Sequence, residues 1–372
     1  MTLCFLGDAI THHMRRWTKF FALRGHDVHV ITFNPKTLPN YEPVKLHVIP
    51  KLVPGRSLFS RILNLLPLVF RVKKILKSTA ADLLHCHDAG GYSWTAMFSG
   101  FHPVIVSAQG NDILINPNKS RLTRVLTRLG LRSADLVHCD GYGMKDEIVK
   151  LGVDEQKIRI VFFGTDVTKF RPPVDKEAMR QECGLRGNVV ISSRRLDPVH
   201  NVETLIDAIP GVLTAVPDAV FLIAGYGSEE EILMDKVRLS HLEHAVRFLG
   251  MIEEHQMIRY LQMADVYVAT SLSESGIAAS TAEAMACALP IINTDTGDIR
   301  MWINDGENGF IIPPKKPAIL ADRIVRLLQD PDTRAIFGDL NRKLIIERNN
   351  YHVEMGKIER IYQQIVEAGD VH

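Results

Sequence analysis

Residues 266–294 read VYVATSLSESGIAASTAEAMACALPIINT. An apolar run, VYVAT (266–270), leads into a loop of small and polar residues, then a helix-length stretch rich in alanine, then a second apolar run, PIINT (290–294). Apolar runs this short read as buried strands, and a helix between two of them is the crossover that parallel strands need. The stretch is therefore a βαβ unit, and the pattern repeats on both sides of it. Downstream comes GFIIPP (309–314); upstream come NVVISSRR (188–195), AVFLIAGYG (219–227) and VRFLG (246–250). A second series lies nearer the N-terminus: LCFLG (3–7), DVHVITF (27–33), LLHCH (83–87), VIVSA (104–108), LVHCD (136–140) and IRIVFFG (158–164). Such continuous apolar runs belong to strands covered on both faces, so the expected class is α/β with two doubly wound, Rossmann-like domains. Two prolines in FRPPVDKEAM (170–179) interrupt the pattern, which puts the domains at 1–170 and 171–345, followed by a last helical segment at 346–372.

Composition narrows the classes of function. The chain has 372 residues, of which 46% are hydrophobic and 23% charged, as in a soluble globular protein with two cores. No apolar run approaches the roughly 18–20 residues of a membrane-spanning helix. The opening MTLCFLGDAI reads as a first strand, and five cysteines without a CxxC pair suggest a reducing cytoplasm and no zinc site. Residues 1–170 carry 23 Lys plus Arg against 13 Asp plus Glu, so the chain has a basic half and an acidic half. The positive charge gathers in GRSLFSRILNLLPLVFRVKKILK (55–77) and NKSRLTRVLTRLGLRS (118–133), both patterned as amphipathic helices. Each is either an ordinary solvated helix face or part of a surface for anionic lipid or phosphorylated substrate. Neither is interleaved with stacking aromatics, which argues against nucleic acid.

In doubly wound sheets ligands bind beyond the carboxyl ends of the strands, so the loop after VYVAT is a candidate site. Ser275, Gly276 and Ile277 let backbone come close to a ligand, and the helix expected from about Ser280 offers N–H groups to a diphosphate. Glu274 and Glu283, one at each end, suit sugar hydroxyls, which carboxylates accept well. A second reading of Glu283 is local: Ser280-Thr281-Ala282-Glu283 fits the S-x-x-E capping box. In AGYGSEE, Gly225 and Gly227 follow a strand, but Glu230 stands where the dinucleotide fingerprint needs its third glycine, so NAD binding is not supported.

EAMACALPIINTDTGDI followed by DGENGFIIPP resembles the donor-site region of family 4 retaining glycosyltransferases, which have the two-domain GT-B fold. GDAITHHMRRW, VFFGTDVTKFRP, AGYGSEEEIL and VRFLGMIEEHQMIRYLQMADVYVATS agree, in the family's order and across essentially the whole chain. The resemblance implies two domains facing across a cleft, with a nucleotide-sugar donor on the C-terminal one and an acceptor on the N-terminal one. It implies that Glu283 holds the ribose and that Glu274 lies near the donor sugar. Eight residues separate the two where the family has seven, which leaves Ser275 at the family spacing. Arg194 and Arg195 would neutralise the leaving diphosphate, with His200 at the position of the family's lysine, and Gly225 and Gly227 would wall the base. On the acceptor side it implies Gly7, Asp8 and His12, with His13 beside it. Gln109 stands where many relatives have a histidine; His85 and His87 are alternatives in that region. The implied chemistry is transfer with retained configuration from a UDP- or GDP-sugar to a lipid-linked or oligosaccharide acceptor, without a metal or cofactor. The expected location is the cytoplasm, at the inner face of the cell membrane. A sugar-nucleotide epimerase of the same fold and a nucleotide-sugar-binding protein without turnover remain the alternatives.

Overall fold

The computed structural model describes residues 1–35, 41–51 and 58–369. Among these, the apolar runs of the N-terminal series form a seven-stranded sheet. Its strands are β1 (Thr2–Leu6), β2 (Asp27–Thr32), β3 (Lys45–Val48), β4 (Leu83–His87), β5 (Val104–Ser107), β6 (Leu136–Cys139) and β7 (Ile158–Ile160). They pair in parallel in the order β3, β2, β1, β4, β5, β6, β7. The second series forms a six-stranded parallel sheet from β8 (Val189–Ser193), β9 (Val220–Ala224), β10 (Val246–Gly250), β11 (Val266–Ala269), β12 (Ile291–Thr294) and β13 (Gly309–Ile312). Its order is β10, β9, β8, β11, β12, β13. Strands β4, β5, β6, β8, β11 and β12 are buried at every residue, because helices cover both faces of each sheet. Each sheet changes direction once, between β1 and β4 in the first and between β8 and β11 in the second, and such switch points open a crevice at the carboxyl ends.

Strand β3 does not stand out in the sequence. KLHV is half-exposed at the sheet edge, and Lys45 pairs with Asp27 at 2.8 Å, so no apolar run announces it.

The chain divides into two units, Met1–Phe162 with the residues from Glu354 onward, and Phe163–Val353. The first crossing thus precedes the proline pair at which the sequence suggested a break at residue 170. Residues 163–170 belong to the second unit because the backbone N–H of Gly164 donates to Asn349 Oδ1 at 3.1 Å and that of Thr165 to the Asn349 carbonyl at 2.7 Å. Gly164 has φ 74°, and a Cβ there would lie 2.5 Å from Tyr351 Cα, so the contact requires glycine. In the last helix, Tyr351–Gly369, the side chains of Met355, Ile358 and Tyr362 are buried in the first unit. Glu359 fixes that helix by accepting from Arg24 Nε at 2.8 Å and bonding His26 Nε2 at 3.0 Å.

Candidate functional site

In the second unit, side chains from four segments meet at the switch point. Strand β8 ends at Ser193, and Arg194 follows with its side chain turned inward, 9% exposed. Its Nη2 pairs with the Glu274 carboxylate and donates to His200 Nδ1 at 3.1 Å, while Nη1 donates to Ser280 Oγ at 3.2 Å. Arg194 Nε is buried without a hydrogen-bond partner, which leaves one charge-bearing N–H to be satisfied. Arg195 turns the other way, as neighbours on extended backbone do. It is 55% exposed, binds Asp197 at 2.8 Å and lies over the Tyr226 ring at 5.0 Å, so the two arginines expected to act together are separated.

His200 ends a 3-10 turn, Pro198–His200, that is stitched to the end of β11. The Leu272 N–H donates to the Val199 carbonyl at 2.8 Å, and Thr270 Oγ1 to the His200 carbonyl at 3.1 Å. Burial, reinforced by the Arg194 charge, lowers its pKa to about 4. The imidazole is therefore neutral near pH 7, accepting at Nδ1 from the guanidinium and carrying its proton on Nε2.

The helix that follows spans Ala279–Ala286 with Ala278 at its N-cap, and no side chain caps it. Alanines at 278 and 279 start the helix ahead of Ser280, so Ser280 lies inside the first turn and the capping-box reading of Ser280 and Glu283 fails. Ser280 Oγ instead accepts from Tyr267 Oη at 2.8 Å as well as from Arg194. Glu283 is half-buried three residues further along, on the same helix face as Ser280. Burial first and the Glu283 charge second push the neighbouring Cys287 thiol up to about 12. Ser275 and Ile277 are half-buried and Gly276 is buried in the loop between Glu274 and the helix. A Cβ on Gly297 (φ 57°) would come within 3.0 Å of Glu274 Cβ and of the Gly276 carbonyl, so this loop rests on the turn after β12. Gly225 and Gly227 meet backbone: a Cβ on either would lie 2.0 Å from the Arg194 carbonyl or 2.2 Å from the Leu196 carbonyl. They bring the β9 loop against the segment that carries Arg194, a packing duty the sequence reading did not assign to them.

In the first unit, Gly7 ends β1 against His87, to whose Cβ an added Cβ would come within 3.1 Å. Asp8 accepts from the Ile10 N–H and from Asn34 Nδ2, both at 3.2 Å. The side chain of His12 lies outside the described residues. His85 is core: Nδ1 bonds Tyr362 Oη, and Nε2 bonds Ser107 Oγ at 2.6 Å, which in turn bonds His138 Nδ1 at 2.7 Å. His87 is 7% exposed with both ring nitrogens unpartnered, and burial lowers its pKa to about 3. The Gln109 N–H donates to the buried Asp112 carboxylate at 2.9 Å, which also accepts from Ala89 at 2.8 Å; Gln109 Nε2 is buried and unpartnered. Asp88 directly follows β4 and lines a pocket of about 90 Å³.

Both basic segments are helical, Leu58–Ser78 and Arg121–Ser133, with residues 55–57 outside the described range. Phe59, Leu66 and Phe70 on the first helix and Leu122, Val125 and Leu129 on the second are exposed. No helix among the described residues is long and apolar enough to cross a membrane. No cluster of three or more His, Cys, Asp or Glu among them is arranged to hold a metal.

Residues 175–344 match the family model described as Glycosyl transferases group 1, and residues 2–141 the one described as Glycosyl transferase 4-like. N-acetyl-alpha-D-glucosaminyl L-malate synthase of Bacillus anthracis is 25% identical over 357 residues, covering 94% of this chain and 92% of that protein. Phosphatidyl-myo-inositol mannosyltransferase of Mycobacterium tuberculosis is also 25% identical, over 379 residues, covering 97% and 94%. Among solved structures, Anabaena HepE in complex with UDP superposes with a TM-score of 0.83 at 20% identity, covering 98% of this chain and all of that one. Sucrose-phosphate synthase from Thermosynechococcus elongatus gives 0.85 at 18% identity, covering 99% and 100%. The two structural likenesses establish the GT-B fold.

Proposed function

The chain belongs to the glycosyl transferases group 1, and from that premise we propose that it moves a sugar from a nucleotide diphosphate sugar to a hydroxyl of a lipid-linked or glycan acceptor, with retention and without a metal. The observation that carries this reading is Arg194 at the β8/β11 switch point, buried, paired with Glu274 and keeping one unsatisfied N–H. A diphosphate there meets a guanidinium whose two-pronged geometry suits phosphate oxygens, together with the uncapped N–H groups of helix Ala279–Ala286. Charge developing on the leaving phosphate is thus stabilised by fixed donors. Glu274, displaced from Arg194 by the diphosphate, accepts hydroxyls of the donor sugar, and Glu283 accepts those of the ribose. His200 donates from Nε2 to a phosphate oxygen. The departing phosphate takes the proton of the acceptor hydroxyl, which attacks from the face the nucleotide leaves.

One named relative supports a lipid acceptor, being a phosphatidyl-myo-inositol mannosyltransferase. The exposed apolar and basic faces of Leu58–Ser78 and Arg121–Ser133 fit peripheral contact with an anionic membrane at the inner leaflet.

Slow hydrolysis of the donor tests the mechanism without a known acceptor. Proton NMR of UDP- and GDP-hexoses incubated with the protein in EDTA should show the freed sugar appearing first in the anomeric configuration it had in the donor. First release of the opposite anomer would refute retention, and conversion of the donor into a different sugar nucleotide would identify an epimerase.

A further inference from the structure

We propose that the hydroxyl of Ser280 is a further donor to the diphosphate, and that Tyr267, buried behind it, is the positioning residue that aims it; this rests on the donor-site reading above. A serine hydroxyl has one proton to give and two lone pairs to receive. Both lone pairs are taken, since Tyr267 Oη donates to Ser280 Oγ at 2.8 Å and Arg194 Nη1 at 3.2 Å. The Ser280 proton therefore points away from both donors, and among the described residues no acceptor takes it. Ser280 lies in the first turn of helix Ala279–Ala286, where backbone N–H groups also lack intrahelical partners, and it is half-buried, so it keeps an open side. The hydroxyl proton, the N–H groups of that turn and the buried Arg194 Nε–H are thus unused donors within one cluster, which is what a leaving phosphate requires.

The fold makes Tyr267 a rigid support. It lies on β11 between two neighbours, opposite Ile191 of β8 and Ile291 of β12, and it is fully buried. Burial raises the pKa of its phenol, so the Oη proton stays in place near pH 7. Its bond to Ser280 fixes the start of helix Ala279–Ala286 to the sheet and, through Arg194 Nη1, to the end of β8. Electrostatics gives the hydroxyl its task. Arg195 is turned outward and His200 is neutral, which leaves Arg194 as the cation of this cluster among the described residues, and Glu274 offsets its charge. A leaving diphosphate gathers more negative charge than one guanidinium balances, so neutral donors held in fixed positions supply the remainder. A hydroxyl with both lone pairs occupied cannot turn its oxygen toward the phosphate, and each bond it accepts strengthens the one it donates.

The test is calorimetry of the full chain with UDP, GDP, ADP and dTDP in EDTA, for wild type, Ser280→Ala, Ser280→Thr, Tyr267→Phe and the double variant Tyr267→Phe/Ser280→Ala; the thermal midpoint without nucleotide reports the fold. Ser280→Ala should weaken the nucleotide that binds by about tenfold, as for a lost hydrogen bond to a charged group, while Ser280→Thr, which keeps the hydroxyl, should stay within about threefold of wild type. Tyr267→Phe should weaken it by a smaller factor when Ser280 is present and not at all when it is absent, because it acts through that hydroxyl. The same serine substitution in an Arg194→Lys background separates donating to phosphate from holding the guanidinium. An equal loss is expected there, and no loss would mean that the serine only holds Arg194, which overturns the proposal. Undiminished binding by Ser280→Ala, binding by Ser280→Thr as weak as by Ser280→Ala, or a Tyr267→Phe effect that persists without Ser280 also overturns it. If Tyr267→Phe does not fold, the two Ser280 variants decide. Wild type and Ser280→Ala binding a nucleotide equally well would keep the donor site and remove Ser280 from it; wild type binding none of the four would remove the donor-site reading and this proposal with it.

Discussion

Arg194 and Arg195 are the same letter twice, and the account separates them completely. Replacing Arg194 by Ala should lower kcat by about 10²–10³, the usual cost of removing one fixed donor from a developing charge. Arg194→Lys should recover only part of that, since an ammonium cannot reproduce the fork that now reaches Glu274, His200 and Ser280. Arg195→Ala should leave the rate within a few-fold, because its half-exposed pair with Asp197 is a surface contact. Steady-state kinetics of the three variants with one donor checks this, and equal losses at both arginines would contradict it. Neighbours on extended backbone point in opposite directions, so only one of the two faces inward. Which one depends on the register of β8 against its covering helices, and only the folded sheet sets that. Glu283 was ambiguous for a related reason: S-x-x-E is a capping box only if the helix starts at the serine, and two alanines ahead of it moved the start.

At the scale of elements, helix Leu58–Ser78 is apolar on two sides. Leu68, Val72 and Leu76 are buried in the first unit, while Phe59, Leu66 and Phe70 face solvent and Lys73, Lys74 and Lys77 follow in the last turns. Each lysine near an anionic surface contributes about 1 kcal/mol, so changing all three to Ser should weaken binding to phosphatidylserine vesicles roughly 100-fold at low salt. Leu66→Ser with Phe70→Ser should weaken it further and in a salt-independent way, since no charge is changed; cosedimentation measures both, and unchanged binding in the two sets would remove the membrane assignment. The existence of this helix and of nearly every strand was legible because buried parallel strands are continuous apolar runs and helices carry a 3.6-residue period. Strand β3 was not, since KLHV gains its strand character from pairing with β2 at an edge where one face stays wet. The exposed side of Leu58–Ser78 was legible only as a pattern, because a helix with two apolar faces does not state which of them the sheet will cover.

On the scale of the molecule, acid should act on the first unit. Burial holds His87 at a pKa of about 3 and His138 at about 4, and pushes His85 well below its ordinary range, so all three are neutral when folded. The unfolded chain takes up these protons below about pH 6.5 and the folded chain does not. Stability is therefore fully present above that pH and falls as pH drops toward 4, by roughly 2 kcal/mol each for His87 and His138 between pH 7 and 5, with His85 acting in the same direction. Hydrogen exchange at the two pH values should show protection lost first in β4, β5 and β6; equal loss in the second sheet would contradict this. The division into two Rossmann-like series was legible in the alternation of runs, whereas the exact crossings were not, because they are set by backbone bonds from Gly164 and Thr165 to Asn349, nearly two hundred residues away. The central claim is that the second unit holds a nucleotide diphosphate at Arg194, and thermal unfolding of wild type and Arg194→Ala with UDP and with GDP in EDTA tests it most directly. At 100 times its dissociation constant the right nucleotide should stabilise wild type by about 2.7 kcal/mol, a shift of several degrees, and should leave the variant nearly unmoved. No shift of wild type with either nucleotide, or an equal shift of wild type and variant, would contradict the account.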